Sequence, residues 1–370
     1  MKKFLFLVPL MAGLAGILWF GSCQPVASTP GGSSTVPGTA GTYQGAGSRW
    51  NATFTTTTFV LEKFPTVTST SADLTVNGTY TEFTTGFRKL TVTSATGSGA
   101  PAAGAQAYGF EVPGFAFFLK PIGSSTSEPI IMLNAGACPG GTGFNANWII
   151  AKFDPGMTLD DTKDNFGSAV FNTTTPASSD ATINKLSAVT ASSLGSSAIS
   201  FDHTTCASGK LTFNSGNTVD MFFTTNGGAL VHSSNGGSSD NTIFAAPKHT
   251  GAVTQSEIAA TYSGILFDQN ASGDKISPVK FTLPTTGDGS GSKISDVETD
   301  ALVSGQSVVI GNFAAHAHSA GLFTLALDPT GENGRLSCTY FTLASKKIMA
   351  CNGYGSNADK KPFFILGKSR

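Results

Sequence analysis

Charged residues are scarce in this 370-residue sequence. They make up 12% of the chain, against roughly 25% in an ordinary soluble protein. The Lys and Arg residues are scattered and the formal net charge is −1, whereas binding to a phosphate backbone needs a clustered basic face. The sequence therefore argues against a nucleic-acid partner, and against long-range electrostatic capture of any strongly charged partner.

Catalytic signatures are also missing. The sequence has no G-x-S-x-G nucleophile elbow, no H-E-x-x-H zinc motif and no glycine-rich phosphate loop that leads into a helix. Its five His residues leave open a Ser-His-Asp site, because such residues meet only in space. We therefore predict a protein that is not an enzyme and that carries no cofactor.

Thr, Ser, Asn and Gly are abundant, and 28 Phe residues supply a core. Thr and aromatic residues favour strands, while Gly, Asn and Ser favour turns. The composition predicts an all-β protein with two antiparallel, sandwich- or barrel-like domains at residues 41–247 and 256–370. Eight candidate strands between Thr261 and Lys368, mostly linked by hairpins, predict that the C-terminal domain is a small barrel or sandwich.

Two segments stand apart from this strand pattern. Residues 173–197 contain few aromatic side chains, which predicts a long surface loop. Residues 256–260 fit a single helical turn at the start of the C-terminal domain. A short echo, GTYQG from Gly41 and ATYSG from Ala260, marks the start of both predicted domains and is weak evidence for a duplication.

The N-terminus has the layout of an export signal. Lys2 and Lys3 precede an apolar run from Phe4 to Phe20, followed by small residues and a cysteine. The run is near the lower limit for a helix that crosses a membrane, so an uncleaved membrane helix is the alternative. Both interpretations send the rest of the chain out of the cytoplasm.

Phe20-Gly21-Ser22-Cys23 resembles the lipobox of bacterial lipoproteins. The resemblance implies that residues 1–22 are a signal peptide that is removed, and that Cys23 carries the lipid, including palmitate. In that family Gln24, which is not Asp, implies passage to the outer membrane, facing the periplasm or the cell surface. The implied partners are the membrane, through the lipid anchor, and an envelope glycan, lipid or protein.

Residues 23–40 form the predicted tether. The segment is rich in Gly, Ser, Thr and Pro and has too few apolar residues to pack against a core. A flexible tether is useful only if its start is fixed to something, which agrees with lipidation at Cys23.

The number of cysteines also agrees with lipidation at Cys23, because four of the five remain when Cys23 carries a lipid. Four cysteines in an oxidising compartment suggest two disulfides. A hairpin that turns at Ala344 and Ser345 places Cys338 opposite Cys351, close enough for a bond. The remaining two cysteines, Cys138 and Cys206, are then predicted to form the second disulfide.

One local pattern suggests a metal. Asp268, Asn270, Ser272 and Asp274 place oxygen atoms at alternating positions, as at the start of a calcium loop. A loop of that type ends in Glu, whereas Val279 occupies this position. Asp, Asn and Gly are also ordinary turn residues, so we favour a hairpin loop and predict no bound metal.

Paired histidines and exposed aromatic residues are the remaining candidates. His316 and His318 share a face if extended, but two imidazoles are too few for zinc, which favours a solvated loop. Trp50 and Trp148 would form a platform for a carbohydrate or peptide if either were exposed. The cluster of Phe115, Phe117 and Phe118 in FAFF is read as core rather than as the lining of a ligand cavity.

Three hypotheses for function follow. The first is a lipid-anchored envelope protein with a non-catalytic structural, binding or interaction role. The second is a carrier that holds a small apolar ligand inside the C-terminal barrel, which requires a cavity there. The third is an envelope glycan hydrolase, which requires two carboxylates that converge in a cleft.

Overall fold

The computed structural model consists almost entirely of antiparallel strands. It describes residues 41–45, 49–65, 69–112, 115–122, 130–134, 144–152, 166–171, 180–186, 193–202, 210–212, 218–223, 229–233, 242–270, 273–328, 334–343, 345–354 and 362–370. The signal, the tether and Cys23 therefore lie outside the described residues. No helix in these ranges is long and apolar enough to span a membrane.

The first barrel contains eight strands, each paired with its neighbour in sequence, and β1 also pairs with β8 to close the ring. The strands are Gly41–Gly45 (β1), Arg49–Phe54 (β2), Thr58–Phe64 (β3), Leu74–Glu82 (β4), Phe87–Gly97 (β5), Gln106–Val112 (β6), Ala116–Pro121 (β7) and Ile130–Asn134 (β8). Its interior is filled by one cluster of mainly apolar side chains, which includes Trp50, Phe54, Phe59, Leu61, Tyr80, Leu90 and Phe117.

The second barrel is also a closed ring of eight strands, because β9 pairs with both β10 and β16. The strands are Phe144–Lys152 (β9), Phe166–Phe171 (β10), Asp180–Leu186 (β11), Ser193–Asp202 (β12), Lys210–Thr212 (β13), Thr218–Phe223 (β14), Ala229–Ser233 (β15) and Thr242–Pro247 (β16).

The predicted loop at residues 173–197 is wrong. This segment contains all of β11 and the start of β12, which pair with each other from Asp180 to Leu186. Strand formation depends on a neighbouring ladder to pair with, and Thr, Ser and Ala are sufficient where aromatic residues are absent. A low content of aromatic residues therefore does not exclude a strand in a segment of this kind.

The third barrel follows a single helical turn, α1 (Gln255–Ile258), close to the predicted position. Its strands are Ala260–Asn270 (β17), Gly273–Leu283 (β18), Gly289–Asp296 (β19), Ala301–Leu302 (β20), Val308–Ala315 (β21), Leu322–Leu327 (β22), Gly334–Leu343 (β23), Lys346–Tyr354 (β24) and Pro362–Ser369 (β25). Because β19 pairs with β18 as well as β21, eight of these strands form a ring, and β20 is attached to β19 at its side.

The all-β class and the eight-stranded C-terminal barrel are thus confirmed. The range 41–247 holds two closed rings, so its description as one β domain understates the architecture. The division of the chain into folding domains at these boundaries stays a prediction.

A disulfide links two central strands of the third barrel. Cys338 on β23 lies opposite Cys351 on β24, and the two Sγ atoms are bonded at 2.07 Å. This is the pair that counting outward from a turn at residues 344–345 predicts. The other predicted pair, Cys138 and Cys206, lies outside the described residues.

The three barrels share a core on their outer faces. Phe115 immediately precedes β7, and its ring lies 5.4 Å from that of Phe244 in the second barrel and 5.0 Å from that of Phe341 in the third. Phe244 also lies 5.9 Å from Phe364 on β25. Strands at this junction are therefore apolar on both faces, one turned to the interior of their own barrel and the other to its neighbours.

Candidate functional site

An arginine lies inside the first barrel. Leu90 and Val92 on β5 belong to the interior cluster, and alternation along the strand places Arg88 on the same face. The Arg88 side chain is only 1% exposed. Its guanidinium carbon lies 4.8 Å from the ring centre of Tyr80 and 5.2 Å from that of Phe54, within the range of a cation–π interaction.

Two carboxylates neutralise this buried cation. Glu82 accepts a hydrogen bond from Arg88 Nε at 3.2 Å, and Glu111 forms an ion pair with the guanidinium NH2 group. Glu111 is itself 3% exposed. A charge removed from water is stable only when it is paired, so these three residues, called here the Arg88 cluster, form one electrostatic unit.

The local sequence leaves room for the Arg88 cluster. Gly109 lies directly opposite Arg88 on β6, and a Cβ atom at Gly109 would lie 2.4 Å from the ring of Phe117. Because real Cβ atoms do not approach so closely, only glycine lets Phe117 lie beside the guanidinium. Tyr80 donates its hydroxyl to the Thr55 carbonyl at 2.5 Å, and burial raises its pKa, so the phenol stays neutral.

A lysine from the third barrel joins the first barrel at this point. Lys368 on β25 is buried and donates from Nζ to the Glu111 carbonyl at 2.7 Å. Its Nζ also lies 5.4 Å from the ring centre of Phe110. Burial lowers the pKa of Lys368 to about 8, against the opposing effect of the Glu111 and Glu82 carboxylates.

Further polar contacts hold the barrels together. Thr85 donates to the Val297 carbonyl at 3.0 Å, and Lys89 pairs with Glu298 at 2.6 Å, both between the first and third barrels. Between the second and third, Asn147 donates to the Ala320 carbonyl at 2.8 Å. The interfaces of the third barrel with the first and with the second thus combine apolar packing with hydrogen bonds to backbone groups.

The arrangement of Glu82 and Glu111 is structural rather than catalytic. Both carboxylates contact the same guanidinium, which lies between them. Glycoside hydrolysis needs one carboxyl group that donates a proton and one free carboxylate that acts on the sugar or on water. Here the carboxylates are committed to Arg88 inside a filled barrel.

The third barrel has a filled interior. Tyr262 stacks on Phe281 with ring centres 4.8 Å apart, and the disulfide lies in the same cluster. The segment around α1 covers this cluster with Ile258, whose carbonyl accepts a 2.5 Å hydrogen bond from the Tyr262 hydroxyl. Burial raises the pKa of the Tyr262 phenol above its usual range.

A second charged group ties β25 to the loop after β19. Asp300 accepts two hydrogen bonds from Arg370, both at 2.6 Å, and one from Lys280 at 2.7 Å. The hydrogen bond from Arg370, with help from Lys280, lowers the pKa of Asp300 to about 2. The carboxylate is therefore ionised at any ordinary pH.

The calcium candidate lies on the β17–β18 hairpin. Asp268 pairs with Lys275, Asp274 pairs with Gln269 and Asn270 pairs with Gly273, while Ser272 lies outside the described residues. The strands run to both ends of a two-residue connection, which is typical of the hairpin alternative. Within the described ranges, no group of three or more His, Cys, Asp or Glu side chains is placed to hold a metal ion.

Both tryptophan candidates and His316 are buried, whereas His318 is exposed. Trp50 and Trp148 are each 4% exposed, so neither forms a surface platform. His316 is not in a solvated loop: its ring packs edge-on against Phe166 of the second barrel at 5.4 Å, and the ring of His318 lies 5.7 Å away.

The predicted Phe cluster divides between two cores. Phe117 fills the first barrel, whereas Phe115 and Phe118 belong to the core shared by the barrels. The reading of this cluster as core agrees with the burial of all three side chains.

Replacing Arg88 by Leu is expected to lower the free energy of unfolding by about 3–5 kcal/mol, because Glu111 would be left buried without its cation. The double variant Arg88→Leu/Glu111→Leu should recover part of this loss. The neighbouring change Lys89→Leu, which removes a more exposed ion pair, should cost less than about 1 kcal/mol. Denaturant unfolding measures all three, and equal losses for Arg88→Leu and Lys89→Leu would contradict the interpretation.

Lys368 is expected to make stability depend on pH. Its pKa is about 8 when folded, against 10.5 ordinarily, so the unfolded chain binds more protons between these values. The free energy of unfolding should therefore rise from about pH 8 to about pH 10.5, with the burial cost fully present below pH 8. The difference between wild type and Lys368→Met, measured by unfolding across this range, isolates the effect, and a flat difference would refute it.

Comparisons with known proteins assign no family. No protein-family model matches the chain, and no curated protein matches it. Among solved structures, it is similar to the vaccine antigen transferrin binding protein B of Haemophilus parasuis Hp5. A double mutant of that protein matches with a TM-score of 0.29 and 8% identity, covering 90% of this chain and 76% of that one. A single mutant matches with a TM-score of 0.27 and 8% identity, covering 90% and 77%. Likeness at this level carries no argument about function.

Proposed function

We propose that this protein is a lipid-anchored protein of the bacterial cell envelope, with a non-catalytic binding or interaction role. The observation that carries the proposal is the order of parts along the chain. An export signal ends at Cys23 in a lipobox-like sequence, a tether poor in apolar residues follows, and the first described strand begins at Gly41. Two or more acyl chains at one cysteine give stable attachment to a membrane, and Gln24 favours the outer membrane.

An interaction role is favoured over the two alternatives by the interiors of the barrels. The third barrel, which a ligand carrier would use, is filled by Tyr262, Phe281 and the disulfide. The hydrolase hypothesis needs free carboxylates, and Glu82 and Glu111 are both paired with Arg88. What remains is a β scaffold that presents its outer surface and loops to an envelope glycan, lipid or protein.

Replacing Cys23 by Ala should abolish incorporation of radioactive palmitate in the producing bacterium and leave an unprocessed precursor. The reason is that the lipid is first attached through the Cys23 thiol, and both removal of the signal and acylation of the new N-terminus depend on that step. Palmitate labelling and mass spectrometry of the purified protein measure both effects.

The matched control is Cys338→Ala, which removes a cysteine far from the signal and should leave labelling intact. Continued labelling of the Cys23→Ala variant would contradict the anchor, while loss of labelling in both variants would point to failed export rather than to a lost lipid site.

A screen against purified envelope glycans and lipid vesicles tests the role itself. The chain from Gln24 onward contains every described strand and is suitable for this assay. We expect saturable binding to one of these materials with no soluble sugar released, because Glu82 and Glu111 are held by Arg88. Any release of soluble sugar would overturn the non-catalytic role. Release that persists in a Glu82→Gln/Glu111→Gln variant would place the activity elsewhere in the chain.

A further inference from the structure

We draw no further inference here: the strongest candidate, the buried Arg88 guanidinium in the interior of the first barrel, belongs to the site already described and is enclosed there by Phe54, Tyr80 and Phe117.

Discussion

Apolar contact between the outer faces of the three barrels is the interaction on which the rest of the structure depends. Phe115, Phe244 and Phe341 meet at the junction, one from each barrel. A barrel that stands alone needs an apolar interior and a polar exterior, whereas these strands are apolar on both faces where they meet. This accounts for the abundance of Phe, and it means that separating the barrels would expose apolar surface that soluble proteins rarely leave uncovered.

The charged groups near this junction give the packing its specificity. Apolar surfaces can slide over one another with little change in energy, but a buried ammonium group must meet its acceptor. Lys368 donates to the backbone carbonyl of Glu111, and the side chain of the same Glu111 neutralises Arg88. We infer that this contact fixes how the third barrel sits on the first, at the cost of burying charge.

Local patterns made much of the fold predictable, and long-range pairing explains what was missed. The Cys338–Cys351 register and the turn near Ser256 depend on residues close in sequence, so counting and composition were sufficient. The separate ring closures within residues 41–247 depend on pairs such as β1 with β8 and β9 with β16. The Arg88 cluster was missed because Arg88 and Glu111 resemble ordinary strand charges. Phe87 and Phe110 directly precede Arg88 and Glu111 in the sequence, and they lie on the opposite faces of the same two strands. Apolar residues at these positions indicate that neither face of β5 or β6 is open to water.

The position of β25 has a consequence for folding. This strand completes the third ring between β17 and β24 and carries both Phe364 and Lys368, yet it follows every other described strand in the chain. Until β25 pairs with β17 and β24, the edges of these two strands and the apolar outer faces of the first two barrels stay uncovered. A chain in which β25 has not yet paired therefore resembles an aggregation-prone intermediate.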